Sequence, residues 1–543
     1  MRALGDLAAD FWAWRVAAAP DSGDDITRVE RPDGWTADWS AAAVAERRRV
    51  LGELEERHAA LDLSAEPVPV QVDGRLIGSA LARARWELDL SRGWQRNPCF
   101  YLEQSLIAGY NLLLRPPPFE TGRAAAIVAH LRRVPVVLEQ ARENLTGHAA
   151  APFARSAITL LETAGDRLRQ AMAALAPLLP RPYAGELASA ADAAAEALAA
   201  YRRWLESGLA GFGDDTAVGA RALAFFLHRV ALVPYPADRL RAMGRQEWDR
   251  AVATEAMLRL RHRDVAAPPL PADAARVIAQ EDADERGVRR FYTERGLLGQ
   301  PSSLRRYRFA AMPPYLAPLT WLGVPHYAGS ASRPGDDALR YVEEPHPGLP
   351  YFQLAEALDP RTGIAHEGVH AQQLALSWQH PDPVRRGYYD SHANEGIAFY
   401  NEELMLLSGL FDDAPYSALF VVNAMRLRAL RVEVDLALAV GETTLEEAAE
   451  RLATAVPMDA GTAWEEAVFF AGSPGQGLSY QIGKLQILDL LATCRRRDGD
   501  DFDLRAFHDR LWLEGNVPIV LQRWELLGLR DQLDEADRLA AES

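Results

Sequence analysis

Prolines and glycines cut the first 300 residues into long pieces, and each piece spaces its apolar residues as an α-helix does. Helices are expected over 38–61, 81–114, 121–145, 152–178, 184–211, 237–265 and 272–298. The second stops at Pro116-Pro117-Pro118, and later breaks fall at Gly147, at Pro180 with Pro182, and at Gly213. The alanine-rich 188–200 counts as helix, because Tyr201, Trp204 and Leu205 continue its pattern. A short β-prone stretch, 68–77, lies between the first two runs. Near Gly299 the texture changes. Between 305 and 358 prolines and aromatics crowd together, and "LRRYRFAAM", "LRYVEE" and "YFQLAEAL" read as strands. Helical spacing returns after Asp359 and lasts to the end, without a fixed-period repeat. The expected fold is mainly α with a small inserted sheet (305–358). A helical region, 1–299, and a second region, 300–543, pack as one body.

Composition removes several function classes. Lys+Arg 59 against Asp+Glu 76 leaves a net charge of −17, the wrong sign for a nucleic-acid partner, which needs clustered cations. Cys99 and Cys494 are the only cysteines in 543 residues. Two cannot build a disulfide framework or a thiolate metal site, and a reduced compartment is the simpler expectation. The first twenty residues carry Asp6, Asp10 and Arg15 and read as an amphipathic helix rather than a signal peptide. No apolar run approaches the ~20 residues that span a bilayer. The expected location is the cytoplasm, with no membrane partner.

His366-Glu367-Gly368-Val369-His370 is the stretch that carries chemistry. On a helix, residues i and i+4 share a face, so both imidazoles reach one zinc ion. Glu367 stands beside the first ligand as general base for a water that zinc brings to a pKa near ~7. A chance match occurs in about 2% of such chains, so position matters. Six of twelve histidines (His326, His346, His366, His370, His380, His392) fall between 326 and 392. The strand-like 351–358 runs straight into the motif, where a sheet edge would accept an extended peptide. Glu395 opens the helical "NEGIAFYNEELMLL", 25 residues after His370. Two histidines and a glutamate leave the fourth zinc position open. The competing reading of Glu395 is an acid favoured by a helix N-terminus. Glu402 and Glu403 follow as solvated residues or partners of the ligands. Asp390 or His392 could orient a ligand ring, but a capping or surface role suits each better.

Two further constellations lie downstream. In "SPGQGLSYQIGKLQILDLL", Ser473 and Pro474 suit a helix start, and Gln476, Tyr480 and Lys484 form a polar stripe at i, i+4, i+8. Tyr480 could donate to an oxyanion, whereas spacing alone favours a solvated face. In "LRALRVEVD", Arg428, Arg431 and Asp435 share a face. Arg428 could bind a peptide carboxylate, while an Arg–Asp pair along the helix is the plainer expectation.

The run from His366 through "NEGIAFYNEE", "LRALRVEVD", "SPGQGLSYQIGKLQILDL" and "FDLRAFHDRLWLEGNVPI" resembles the large bacterial family of unknown function numbered eight-eight-five. That family is in turn similar to gluzincin-type zinc peptidases such as the thimet-oligopeptidase and carboxypeptidase Taq groups. The resemblance implies a helical body enclosing a cleft, with Glu395 as third ligand and Tyr480 near the site. The chain departs from the family's His-Glu-x-x-Pro-Gly-His-His by carrying Ala371, Gln372 and Gln373 after a regular motif, and it has Ala439 where many members have histidine.

The leading expectation is a metallopeptidase with one Zn2+ on His366, His370 and Glu395. Glu367 and Tyr480 would be catalytic, and Arg428, Gln476 and Lys484 weaker substrate contacts. Its substrate would be a short peptide. A zinc amidase or esterase on a non-peptide small molecule would use the same ligands. A non-catalytic binding protein with a retained metal site is the alternative from another class, and the intact Glu367 argues against it. Oligomeric state is open.

Overall fold

Residues 121–145 start and stop as the helical helix Thr121–Leu145 where the prolines and Gly147 require. Arg181–Gly208 packs along it and along Ala151–Leu175. Their alanines and leucines face inward and bury Leu131, Val134, Ala164, Leu168, Ala194 and Leu198 in one core. The structure, a computed structural model, describes residues 2–22 and 29–542. Helices hold 71% of the chain, so the fold is mainly α with a small three-stranded sheet. Among the described residues no helix is long and apolar enough to cross a membrane.

The sheet has the order β1 (Tyr307–Ala311), β3 (Ala338–Val342), β2 (His326–Tyr327). β1 runs parallel to β3 with Tyr307 opposite Ala338, and β2 runs antiparallel with His326 opposite Arg340. It lies between two cores: Tyr307 and Phe309 join one, Tyr327 and Tyr341 the other. Each of the five apolar cores draws residues from both sides of position 300.

Three local expectations are corrected. Residues 68–77 form no strand but the first part of the helix Val68–Arg85. Pro67 and Pro69 suit a helix start, and burial of Val72, Leu76 and Ile77 on one face outweighs β-branching. "YFQLAEAL" is the helix Tyr351–Leu358, entered through Pro350. Its glutamine, leucines, alanines and glutamate are helix formers, and the segment is too short for apolar alternation to separate the two states. The sheet edge next to the motif therefore belongs to β1 and β2. Finally, the helix bearing Tyr480 begins at Gln476, not at Ser473 or Pro474. Asp435 caps it instead, accepting from the N–H of Gly475 at 3.0 Å and of Leu478 at 2.9 Å.

Candidate functional site

The motif sits at the start of the helix Glu367–Trp378, with His366 in the capping position. The His370 N–H donates to the His366 carbonyl at 3.3 Å, so the two rings point to one side. They stand edge to face with centres 4.9 Å apart. The third group arrives on the helix Ser391–Ser408, whose first turn is capped by Asp390 accepting from Ala393 N–H at 3.2 Å. Glu395 Oε2 lies 3.5 Å from His366 Nε2 and 3.4 Å from His370 Nε2. All three donor atoms fall within 4.8 Å of one another. A tetrahedral ion with ligands about 2.1 Å away needs donor atoms about 3.4 Å apart. Both measured separations match that edge.

His370 and Glu395 are 1% exposed, which makes their charges costly unless paired. Burial alone would raise the Glu395 carboxyl, but the His370 and His366 rings hold it well below the usual carboxylate range. Burial would lower His366, yet its hydrogen bonds to the Glu395 and Glu402 carboxylates raise it to about 9. Glu367 behaves like Glu395: burial is outweighed by His366, His370, His326 and Arg340, and its pKa falls. A carboxylate kept ionised beside two imidazoles is suited to take a proton from water.

Glu402 fixes the His366 ring. It lies 2.7 Å from His366 Nδ1, and the ring N–H donates to it. Arg428 Nη2 donates to the same oxygen at 3.0 Å. The ring is thereby held in the tautomer that leaves Nε2 free to ligate. His326, on β2, brings Nδ1 to 3.7 Å from Glu367 Oε2. Tyr480 stacks on His366, with ring centres 6.2 Å apart and planes 14° from parallel. The Arg431 guanidinium lies 4.8 Å from the Tyr480 ring centre and Arg428 5.8 Å.

Thus His366, Glu367, His370, Glu395 and Tyr480 are brought together. The other expected contacts end elsewhere. Arg428 directs one of its nitrogens, Nη2, to Glu402. Lys484 is fully buried and pairs with Glu403 at 2.8 Å and Glu247 at 3.4 Å, so it joins helices rather than meeting a ligand. Gln476 lies one turn before Tyr480 and accepts from the Ser391 hydroxyl at 2.6 Å. The polar stripe is therefore no solvated face. No Arg–Asp pair forms along the helix Pro415–Val440: Arg431 pairs with Glu466, and Asp435 is the cap described above. Glu402 and Glu403 are buried. Sequence reasoning undervalued Glu402, although its seven-residue spacing from Glu395 puts both on one helical face.

Comparison with known proteins places the chain among bacterial relatives. A family model described as "Bacterial protein of unknown function (DUF885)" matches residues 20–523. No curated protein matches. A "putative lipoprotein of unknown function" from Shewanella oneidensis has the same fold, with a TM-score of 0.70 at 17% identity over 97% of this chain and 99% of that one. A "putative lipoprotein" from Colwellia psychrerythraea gives 0.73 at 14% identity over 100% of both chains.

Proposed function

The chain belongs to the DUF885 family of bacterial proteins of unknown function, and for it we propose a zinc-dependent hydrolase that cleaves short peptides. The observation that carries this reading is the convergence of His366, His370 and Glu395 donor atoms within 4.8 Å, with Glu367 alongside. His366, His370 and Glu395 hold the ion. Bound there, zinc acidifies a water molecule and polarises a carbonyl group. Glu367 accepts the proton of the attacking water and returns it to the leaving amine. Tyr480 donates to the charge that develops on the carbonyl oxygen, and Arg431 and Arg428 beside its ring favour that charge. Glu402 and Arg428 keep the His366 ring in place. The kinship inferred with gluzincin-type peptidases rests on the same elements, two histidines on one helix and a glutamate on a second. A cytoplasmic location, argued from the two cysteines, is tested by fractionating producing cells.

The function is tested by metal analysis of the purified protein and by hydrolysis of a mixed peptide library, with and without chelator. One zinc per chain and chelator-sensitive cleavage are expected. Folded His366→Ala and His370→Ala proteins that kept their full metal content would overturn the ligand assignment. A metal-loaded protein that cleaved no peptide would overturn the substrate.

A further inference from the structure

A cavity of about 550 Å³ lies against the site and is not part of the zinc ligand set. Its floor includes Ser391 and Gln476, the first residues of the two helices that carry Glu395 and Tyr480. Ser391 stands four residues before Glu395 and Gln476 four before Tyr480, so the floor begins one helical turn, about 6 Å along the axis, before the residues that reach the site. The volume is within the range of small-ligand pockets.

Much of the wall is indole and phenyl, beside charged side chains such as Arg15, Arg83, Glu87 and Arg386. Trp12, Trp86, Trp94, Trp378, Phe226 and Tyr388 all line the cavity. The Trp12 N–H is already donated to the Val384 carbonyl and that of Trp94 to Leu88. These two rings therefore offer carbon faces rather than donors. Trp86 and Phe226, with ring centres 5.2 Å apart, each open a π-helical stretch, Trp86–Ser91 and Phe226–Val230. Such stretches cost helix stability and recur at binding sites. Next to the first, Arg92 holds a left-handed backbone with φ 49°, a conformation that non-glycine residues seldom adopt. Gln476 is 9% exposed and its Nε2 has no hydrogen-bond partner, while its oxygen is engaged by Ser391. A buried amide N–H left unpaired is destabilising, and a ligand oxygen would satisfy it.

We propose that this cavity binds an aromatic side chain of the peptide substrate, with the Gln476 amide donating to a main-chain carbonyl of the same peptide. This rests on the peptidase reading and names its specificity. An extended peptide advances about 3.3 Å per residue, so the side chain held here belongs to a residue within two of the bond that is cut. Aromatic faces in the wall stack on an aromatic ring.

The test uses the full-length, zinc-loaded protein and two blocked tetrapeptide sets, identical except for phenylalanine or alanine at each position in turn. Burying a phenylalanine ring should favour those peptides at least about tenfold in kcat/KM at one position. The same preference should appear in calorimetric binding to Glu367→Gln protein, which does not need turnover. Gln476→Leu removes the donor, and Ala331→Trp fills the cavity from its exposed rim. Each should lower affinity for the phenylalanine peptides about tenfold or more, with zinc content and melting temperature kept. Equal binding of both sets, or Gln476→Leu and Ala331→Trp proteins that bind as the parent does, overturns the proposal. Selective binding without hydrolysis would sink the peptidase reading and leave the cavity assignment standing. Hydrolysis without selectivity would do the reverse.

Discussion

Glu402 shares a helical face with Glu395, and its oxygen serves two partners at once: the His366 ring and Arg428. Truncation to alanine leaves His366 free to rotate and Arg428 buried without its counter-charge. Zinc affinity of Glu402→Ala, measured by competition with a chromophoric chelator, should fall about 10- to 100-fold. Glu402→Gln keeps an oxygen for the ring N–H and should recover part of that loss, a rescue that a purely structural role would not produce. Tyr480 makes a second prediction at this scale. Its ring is fixed by stacking on His366 and by the arginines above it, so removing the hydroxyl leaves the packing intact. Tyr480→Phe should lower kcat about 100-fold with zinc content and melting temperature unchanged. Wild-type turnover would show that another group meets the developing charge.

Helices Ser391–Ser408 and Gln476–Asp498 bring Glu395 and Tyr480 to one point because they cross at glycines. A Cβ on Gly483 would meet the His392 carbonyl oxygen at 1.8 Å and the Gly396 Cα at 2.9 Å. Both obstacles are backbone, so the helices must separate to admit it. Gly483→Ala should cost about 3 kcal/mol, read from the urea midpoint, and should weaken zinc binding as Glu395 moves. The joint between helix Ala274–Glu294 and β1 gives a pH test. Glu281 is fully buried and accepts from the Phe309 N–H at 2.9 Å. Burial, aided by Glu285, raises its carboxyl to about 7 despite that bond. The folded state then holds a proton that the unfolded chain gives up near the ordinary glutamate value of 4.5. This contribution to stability is full below that value and is lost as pH rises through about 7, up to about 3 kcal/mol. Glu281→Gln keeps an oxygen for Phe309 but has nothing to titrate. Its stability relative to wild type should improve by about that amount between pH 4.5 and 8. A difference independent of pH would show that Glu281 titrates normally.

All five cores cross position 300, and one buried ion-pair cluster crosses it too. Arg385 reaches Asp73 at 2.9 Å, Glu514 at 2.6 Å and Glu525 at 2.9 Å, tying the first hundred residues to the last. The site is framed by residues 300–543, yet much of the cavity wall, Trp12, Trp86, Trp94 and Phe226 among it, comes from the first half. Residues 300–543 produced alone would expose five half-cores. The expected result is no cooperative thermal transition and no near-ultraviolet circular dichroism. A fragment that melted cooperatively and bound zinc would show that the second half is an independent domain.

Local chemistry was legible in the residues themselves. The i, i+4 histidines, the adjacent Glu367 and the helix boundaries at proline and glycine depend on interactions within a few positions, and sequence spacing reports these directly. Where two conformations were locally close, as in 68–77 and 351–358, packing decided in favour of helix. Long-range pairing was out of reach. Arg431 meets Glu466 rather than Asp435, and Asp435 caps a helix forty residues away. Lys484 is buried between two glutamates of different helices. A polar stripe looks the same whether water or another helix covers it. The contact that settles the matter is made by a residue whose distance along the chain carries no periodic signal, so only the tertiary structure could choose among these partners.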